Sequence, residues 1–161
     1  RSVLGNPRSV HCKSIKHPSV PKLSDARSSI ILDYEKDIRC CLSINHTHDT
    51  DIHGMKHSHA YARVEGLKGA AYIKFGLLLN YPKGEPEEIE ISTDGVEWTK
   101  VNNVGTWFPD AFIGTMSSLQ RFASGEEKEL LHSVDNAYET MALVYACLKS
   151  NESLGTPVEY N

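Results

Sequence analysis

HAYARVEGLKGAAYIKF, from His59 to Phe75, is the stretch of sequence that decides the fold class. Residues of opposite character alternate on both sides of the short segment Gly66 to Gly69, and alternation with a period of two is typical of half-buried strands. Glycines between two such runs are typical of a tight turn. The stretch therefore predicts a β-hairpin and, with it, an antiparallel sheet.

Four further runs rich in β-branched and aromatic residues predict strands in the first hundred residues. They are Ser28–Tyr34, Ile38–Ile44, Glu88–Ser92 and Glu97–Val101. Asp94-Gly95, between the last two, is a strong hairpin signal. Most of the sheet is therefore predicted to be antiparallel, and a short edge strand is predicted near Thr156 to Tyr160, where a proline is tolerated.

From about residue 107 the apolar spacing changes to three or four, the period of a helix. One stripe contains Phe108, Phe112, Met116, Leu119 and Phe122, and a second contains Val134, Ala137, Tyr138, Met141, Tyr145 and Leu148. Gly125 suits a left-handed C-cap and Ser133 suits an N-cap. We predict helices near 109–124 and 133–149, packed by these stripes on one face of a sheet of six or more strands. The chain is thus predicted to be a single α+β domain over residues 1–161.

Charge and cysteine content exclude several classes of protein. Lys and Arg number 17 and Asp and Glu number 21, giving a net charge of −4, which argues against binding to nucleic acid or an anionic membrane. The four cysteines show no C-x-x-C spacing, and we expect them to be reduced in the cytoplasm. Cys40 and Cys41 are predicted to point to opposite faces of one strand.

Histidines are concentrated in one short segment that contains two H-x-H pairs. His46 and His48 follow one predicted strand, and His57 and His59 lie at the start of the next. Imidazoles on neighbouring strands can bind a metal or a small ligand, whereas a solvated loop would leave them without a role. No metal site is predicted, and metal or ligand binding by this cluster is kept as the alternative function. Trp107, just before the first predicted helix, is a candidate apolar wall for a bound ligand, with core packing as its alternative.

Sequence signatures of nucleophilic catalysis and phosphate binding are missing. The chain has no G-x-S-x-G and no G-x-x-x-x-G-K-[ST], and no two of its glycines are separated by a single residue. A nucleophile elbow and a glycine-rich phosphate loop are therefore not expected. From these residues alone, no catalytic and no cofactor-binding group is predicted.

Five segments follow one another in an order that resembles the C-terminal domain of the Gfo/Idh/MocA oxidoreductases, the family of glucose–fructose oxidoreductase and inositol dehydrogenase. The segments are Leu4–Val10, Ser29–Asn45, Val64–Ala70, Phe108–Gly125 and Ser133–Glu159. Val64–Ala70, which is similar to the family's glycine hairpin, is the most specific of them. The resemblance implies an open-faced sheet of the dihydrodipicolinate reductase-like type with helices on one face.

The resemblance also implies a function for the parent protein, an NAD(P)-dependent oxidoreductase acting on a sugar, a polyol or a related compound. The family's Rossmann domain and its Glu-Lys-Pro lysine are not in this sequence, so NAD or NADP is expected in the parent and no cofactor in this chain alone. The chain would shape the substrate pocket, with His46, His48, Trp107, His57 and His59 as candidates. It would also form a homo-oligomer through the open sheet face, where Ala60, Ala62 and Val64 lie opposite Tyr61 and Arg63.

Overall fold

The computed structural model describes residues 1, 3–16, 27–45, 60–76, 86–103, 105 and 110–153. Seven strands and two helices lie in these ranges: β1 Ser9–Ile15, β2 Arg27–Asp33, β3 Arg39–Asn45, β4 Tyr61–Gly66, β5 Gly69–Lys74, β6 Glu88–Ser92, β7 Thr99–Val101, α1 Ala111–Ser124 and α2 Val134–Asn151. Every strand pairing among them is antiparallel. The predicted α+β class and both predicted helices are confirmed.

The chain divides into two compact units. One unit comprises Arg1–Ile52 and His132–Asn161, and the other comprises His53–Leu131. The first contains the sheet β1-β2-β3 and helix α2, and the second contains the sheet β4-β5-β6-β7 and helix α1.

The prediction of one sheet with six or more strands is therefore wrong for the described residues, whose strands form one sheet of three and one of four. Each sheet is a meander of strands that are adjacent in sequence, so each pairing is set by the connection between two successive strands. The longest connection between successive strands is the one that separates β3 from β4. A period of two shows which residues form strands, but it does not show whether two meanders share one sheet.

Sheet β1-β2-β3 is asymmetric, with one face more buried than the other. Its register places Cys12 beside Ile30 and Ile30 beside Leu42, so all three share a face. Cys12 and Leu32 on this face are buried, whereas Cys41 on the opposite face is exposed. Cys40 is half-buried. The predicted opposite orientation of Cys40 and Cys41 is confirmed.

Helix α2 covers the free edge of this sheet. The backbone N–H of Cys12 donates to Ser150 Oγ at 2.9 Å, and the backbone N–H of Ser14 donates to Asn151 Oδ1 at 2.7 Å. At the other end of α2, the Arg1 guanidinium hydrogen bonds with Thr140 Oγ1 at 2.6 Å. Unpaired N–H groups on an edge strand can pair with a strand of another molecule. The side chains of Ser150 and Asn151 accept hydrogen bonds from two such groups of β1.

The side of α2 that contacts β1 is not the predicted stripe. Val134, Tyr138, Met141, Tyr145 and Leu148 are 49–84% exposed. The half-buried positions of the helix lie mostly on the opposite side; they are Leu143, Ala146, Cys147, Ser150 and Asn151. The small side chains of Ala146 and Ser150 allow close approach to β1, and the Ser150 hydroxyl accepts a hydrogen bond from the strand. The prediction that the second stripe is core is therefore wrong.

Sheet β4-β5-β6-β7 begins with the predicted hairpin. Gly66 pairs with Gly69 across its turn, and Gly69 has a φ of +149° that other residues rarely adopt. The second predicted hairpin is also present, because Asp94 Oδ1 accepts from the backbone N–H groups of Val96 and Glu97, each at 2.9 Å. Both turns join strands in the predicted order.

Helix α1 has the predicted C-cap but not the predicted burial. Gly125 follows the helix with a φ of 82° and donates its N–H to the last turn. Phe112, Met116, Leu119 and Phe122 of the first stripe are 41–54% exposed, so this stripe is only half covered. Neither described helix is long and apolar enough to cross a membrane. The predicted strand at 156–160 lies outside the described residues.

Candidate functional site

All five predicted substrate-binding residues, His46, His48, His57, His59 and Trp107, lie outside the described residues. The structure does describe the elements that adjoin them. His46 directly follows the end of β3, where Asn45 pairs with Arg27. His59 is two residues before β4, whose start is fixed by a hydrogen bond from the Phe75 N–H to the Ala60 carbonyl at 2.8 Å.

The two H-x-H pairs lie outside the described residues. In the part of the chain that the structure describes, β3, which precedes the first pair, belongs to one sheet, and β4, which follows the second, belongs to the other. Within the same described ranges, no group of three or more His, Cys, Asp or Glu side chains is arranged to hold a metal ion.

Beyond the histidine segment, the strands that begin at β4 carry a polar face. The register places these side chains on one side of the sheet: Tyr61, Arg63, Glu65, Tyr72, Lys74, Glu88, Glu90 and Lys100. Glu88 lies between two lysines, 3.2 Å from Lys100 Nζ and 4.0 Å from Lys74 Nζ. Arg63 Nε donates to Glu65 Oε1 at 2.5 Å. The three basic and three acidic groups of this face give it no net charge, and exposed ion pairs of this kind contribute little stability.

Aromatic rings lie among these charges. The rings of Tyr61 and Tyr72 stack with centroids 6.0 Å apart, and the Arg63 guanidinium lies 5.5 Å from the centre of the Trp98 ring. Tyr61 is 59% exposed. A ligand with both apolar and polar edges binds to a surface that combines aromatic rings with charged hydrogen-bonding groups, as this face does. The polar face is therefore the described part of the candidate site.

The carboxyl groups with shifted pKa values do not have the properties of a general acid. Hydrogen bonds from Arg8, from the backbone of Val96 and from Arg121 lower the pKa of Asp33, Asp94 and Glu127, respectively. A general acid at neutral pH needs a raised pKa. Asp94 thus stabilises a turn, and Asp33 and Glu127 form ion pairs with Arg8 and Arg121.

The described helix N-termini do not fit the pyrophosphate of a nicotinamide cofactor. Such a group binds where a glycine-rich turn exposes backbone N–H groups at the positive end of a helix dipole. Helix α1 has Asp110 at its N-cap, and α2 has Asp135 in its first turn. Ser133 Oγ already accepts the N–H of Asn136 at 3.2 Å. A carboxylate at each position repels the phosphates.

The sequence does not predict that Cys12 and Cys147 are neighbours. Cys147 lies one helical turn before Ser150, whose Oγ accepts the Cys12 backbone N–H at 2.9 Å. Burial, followed by the neighbouring Cys12, raises the pKa of Cys147. The signal in the sequence is weak. Cys12 and Ser14 share a strand face, and Cys147, Ser150 and Asn151 share a helix face, but nothing in either pattern shows that the two faces meet.

Comparisons with known proteins identify the fold. No family model and no curated protein matches this chain. A candidate oxidoreductase from Thermotoga maritima matches with a TM-score of 0.64 and 14% identity, over 90% of this chain and 38% of its own. An oxidoreductase from Agrobacterium radiobacter, in complex with NAD+, L-tartaric acid and magnesium, matches with a TM-score of 0.67 and 14% identity, over 94% of this chain and 43% of its own. The chain therefore has the fold of a part of these oxidoreductases and spans about two fifths of their length.

Proposed function

We propose that this chain is the C-terminal, substrate-binding domain of an NAD(P)-dependent oxidoreductase of the Gfo/Idh/MocA family. The similarity of its fold to parts of two oxidoreductases, over 90% and 94% of its length, carries the proposal. The order of the five sequence segments, with the glycine hairpin at Gly66 and Gly69, supports it independently.

The cofactor is bound by another part of the protein in this proposal. One of the similar structures holds NAD+, and this chain has no glycine-rich phosphate loop. The acidic N-termini of α1 and α2 are unsuited to its phosphates. The Rossmann domain and the lysine that the resemblance implies would thus come from sequence outside these 161 residues.

The substrate is a polyhydroxy compound, a sugar, polyol or hydroxy acid, in this proposal. L-tartaric acid, bound to the oxidoreductase from Agrobacterium radiobacter, has a vicinal diol between two carboxylates. His46 and His48, after β3, and His57 and His59, before β4, are the proposed hydrogen-bonding groups, and Trp107 is the proposed apolar wall. Neutral imidazoles donate and accept hydrogen bonds, as hydroxyl groups require.

Assembly into a homo-oligomer completes the proposal. The face of sheet β4-β5-β6-β7 opposite to the polar face carries small and apolar residues: Ala62, Val64, Ala71, Ile73, Ile89, Ile91 and Val101. Val64 and Ile91 are 44% and 45% exposed. Apolar surface of this kind is typical of protein interfaces, and two copies related by a two-fold axis would bury it symmetrically.

The test uses the full protein and a panel of sugars, polyols and hydroxy acids that includes tartrate. Reduction of NAD+ or NADP+ is followed for each compound, first with the protein as it is and then with His46→Ala and Trp107→Ala. We expect a rise in KM or a fall in kcat of about ten-fold or more from the loss of a hydrogen bond or an apolar contact, with unchanged unfolding midpoints.

His132→Ala is the matched control because His132 lies in the turn before α2 and is exposed. The absence of turnover with either cofactor across the panel, together with a tightly bound transition metal in the purified protein, would contradict the proposal and favour a binding module built on the histidines. Unfolding of the Trp107→Ala protein would show that Trp107 is a core residue.

A further inference from the structure

Two thiols are neighbours where α2 packs against β1. Cys12 lies in β1 with 8% of its surface exposed, and Cys147 lies in α2 and is half-buried. Cys147 is one helical turn before Ser150, whose Oγ accepts the backbone N–H of Cys12 at 2.9 Å. Both are free thiols. Two neighbouring reduced cysteines on separate elements can form a disulfide when their sulfurs come together.

Two hydrogen bonds hold together the segments that carry the two cysteines. Ser150 and Asn151 are three and four residues after Cys147, so they lie on the same side of α2. Ser150 accepts the N–H of Cys12 itself at 2.9 Å, and Asn151 accepts that of Ser14 at 2.7 Å. The last turns of α2 are thus fixed to the strand at Cys12 by contacts that do not depend on the thiols.

The two sulfurs differ in access. Cys12 is covered by the sheet and the helix, whereas Cys147 retains exposed surface. A reagent from solution therefore meets Cys147 first. The raised pKa of Cys147 keeps it largely a thiol at neutral pH, so its reaction is slow compared with that of an activated cysteine.

We propose that Cys12 and Cys147 form a reversible disulfide between β1 and α2, with Cys147 as the attacking and Cys12 as the resolving cysteine and glutathione disulfide as the oxidant. The Cys147 thiolate attacks one sulfur of glutathione disulfide, forming a mixed disulfide and releasing a glutathione thiolate, which takes up the proton that Cys147 lost. The Cys12 thiolate then attacks the Cys147 sulfur. The bond to glutathione breaks, and the second glutathione leaves with the proton from Cys12. Two protein thiols are oxidised and one glutathione disulfide is reduced to two glutathiones.

The disulfide would change the stability of the fold without changing its native contacts. It joins residues 12 and 147, so it closes most of the chain into one loop. Such a crosslink lowers the conformational entropy of the unfolded chain. Helix α2 would be fixed to β1 under oxidising conditions and held only by hydrogen bonds and packing under reducing ones.

Peptide mapping tests the proposal. The purified protein is equilibrated with glutathione disulfide, its free thiols are alkylated while it is folded, and the digest is analysed by mass spectrometry. The wild type and Cys41→Ser, a control for the exposed cysteine of β3, should give a peptide pair linked through Cys12 and Cys147. Cys12→Ser should stop at a glutathione adduct on Cys147. The unfolding midpoint of the wild type should rise by roughly 5–15 °C on oxidation and return with dithiothreitol.

A glutathione adduct that persists on Cys147 of the wild type, with no linked pair, would overturn the proposal. So would a linked pair that forms only when urea is present before alkylation. Where Cys12→Ser does not fold, the time course of the wild type gives the same distinction. The adduct on Cys147 must appear before the linked pair, and an adduct on Cys12 in its place would contradict the assigned order.

Discussion

The carboxamide oxygen of Asn151, in the last turn of α2, lies 2.7 Å from the backbone nitrogen of Ser14 in β1 and accepts its hydrogen bond. A side chain of the helix thus takes the position that a neighbouring strand would have occupied. The main chain of α2 also contributes at this point, because the Asn151 carbonyl accepts from Lys13 Nζ at 3.2 Å. Asn151 therefore bonds β1 at the Ser14 N–H and at the Lys13 side chain, beside the Ser150 hydroxyl that accepts the Cys12 N–H.

Asn151→Ala removes the acceptor for the Ser14 N–H while leaving the main-chain carbonyl in place. We expect a loss of about 1 kcal/mol in the free energy of unfolding, since a single part-buried hydrogen bond is lost. Urea unfolding measures this loss, and hydrogen exchange of the Ser14 amide should accelerate. Lys149→Ala, on an exposed position of the same turn, is the control. Unchanged exchange at Ser14 in Asn151→Ala would contradict the assigned bond.

Gly69→Ala should strongly destabilise the sheet β4-β5-β6-β7. A Cβ at this position would lie 2.3 Å from the carbonyl oxygen of Ser92, and the φ of +149° is open only to glycine. We expect a loss of about 2–4 kcal/mol in the free energy of unfolding. Gly66→Ala, whose Cβ would have its nearest neighbour at an ordinary 3.8 Å, should cost about 1 kcal/mol or less. Equal effects of the two substitutions would contradict this account.

A substitution in the turn between β2 and β3 should raise the free energy of unfolding. Lys36 and Asp37 at its centre have φ values of 62° and 61°, which are unfavourable for residues with a side chain. Asp37→Gly should raise the free energy of unfolding by about 0.5–1 kcal/mol because relief of this strain exceeds the added freedom of the unfolded chain. Asp37→Val, which is β-branched, should lower it. Thermal unfolding of both variants shows whether each substitution raises or lowers stability. A lower unfolding midpoint for Asp37→Gly than for the wild type would contradict the argument.

These elements show how far the sequence determines the structure. Gly69, Asp94, Gly125 and Ser133 have local roles that follow from their own chemistry, and each acts as predicted. The side of α2 that packs could not be predicted, because Tyr138 and its neighbours form the larger apolar stripe. Ser150 and Asn151 instead bond β1, and that partner is more than a hundred residues away in the sequence. The predicted histidine site depends on which strands adjoin one another, and the period of a strand does not contain that information.

Acid should weaken the hairpin at Asp94 in a predictable direction. Hydrogen bonds from the backbone N–H groups of Val96 and Glu97 and from the Ser92 hydroxyl lower the pKa of Asp94 from its ordinary value of 3.8. A carboxyl group whose pKa is lower in the folded than in the unfolded state stabilises the fold above the unfolded value. That contribution is lost as the pH falls through the folded value.

Asp94→Asn keeps an acceptor oxygen but removes the titration, so its free energy of unfolding should depend less steeply on pH below about 4. The measurement is urea unfolding at a series of pH values from neutral to strongly acidic. Asp33 and Glu127 have pKa values lowered in the same direction, so part of the acid dependence should remain in the variant. An unchanged slope would show that the Asp94 turn is not coupled to global unfolding.

The proposed assembly surface gives the last prediction. Val64 and Ile91 are on the apolar face of the four-stranded sheet, both paired with Ala71, and both are nearly half exposed. Val64→Lys or Ile91→Lys in the full protein should shift sedimentation from a homo-oligomer to a monomer. A charge at the centre of an apolar interface would lie unpaired in both copies, which weakens association by about 100-fold or more. Glu90→Gln, on the polar face, changes the net charge by the same one unit and should leave the assembly intact. If the wild type is a monomer at high micromolar concentration, or if Glu90→Gln dissociates it as readily, the apolar face is not the interface.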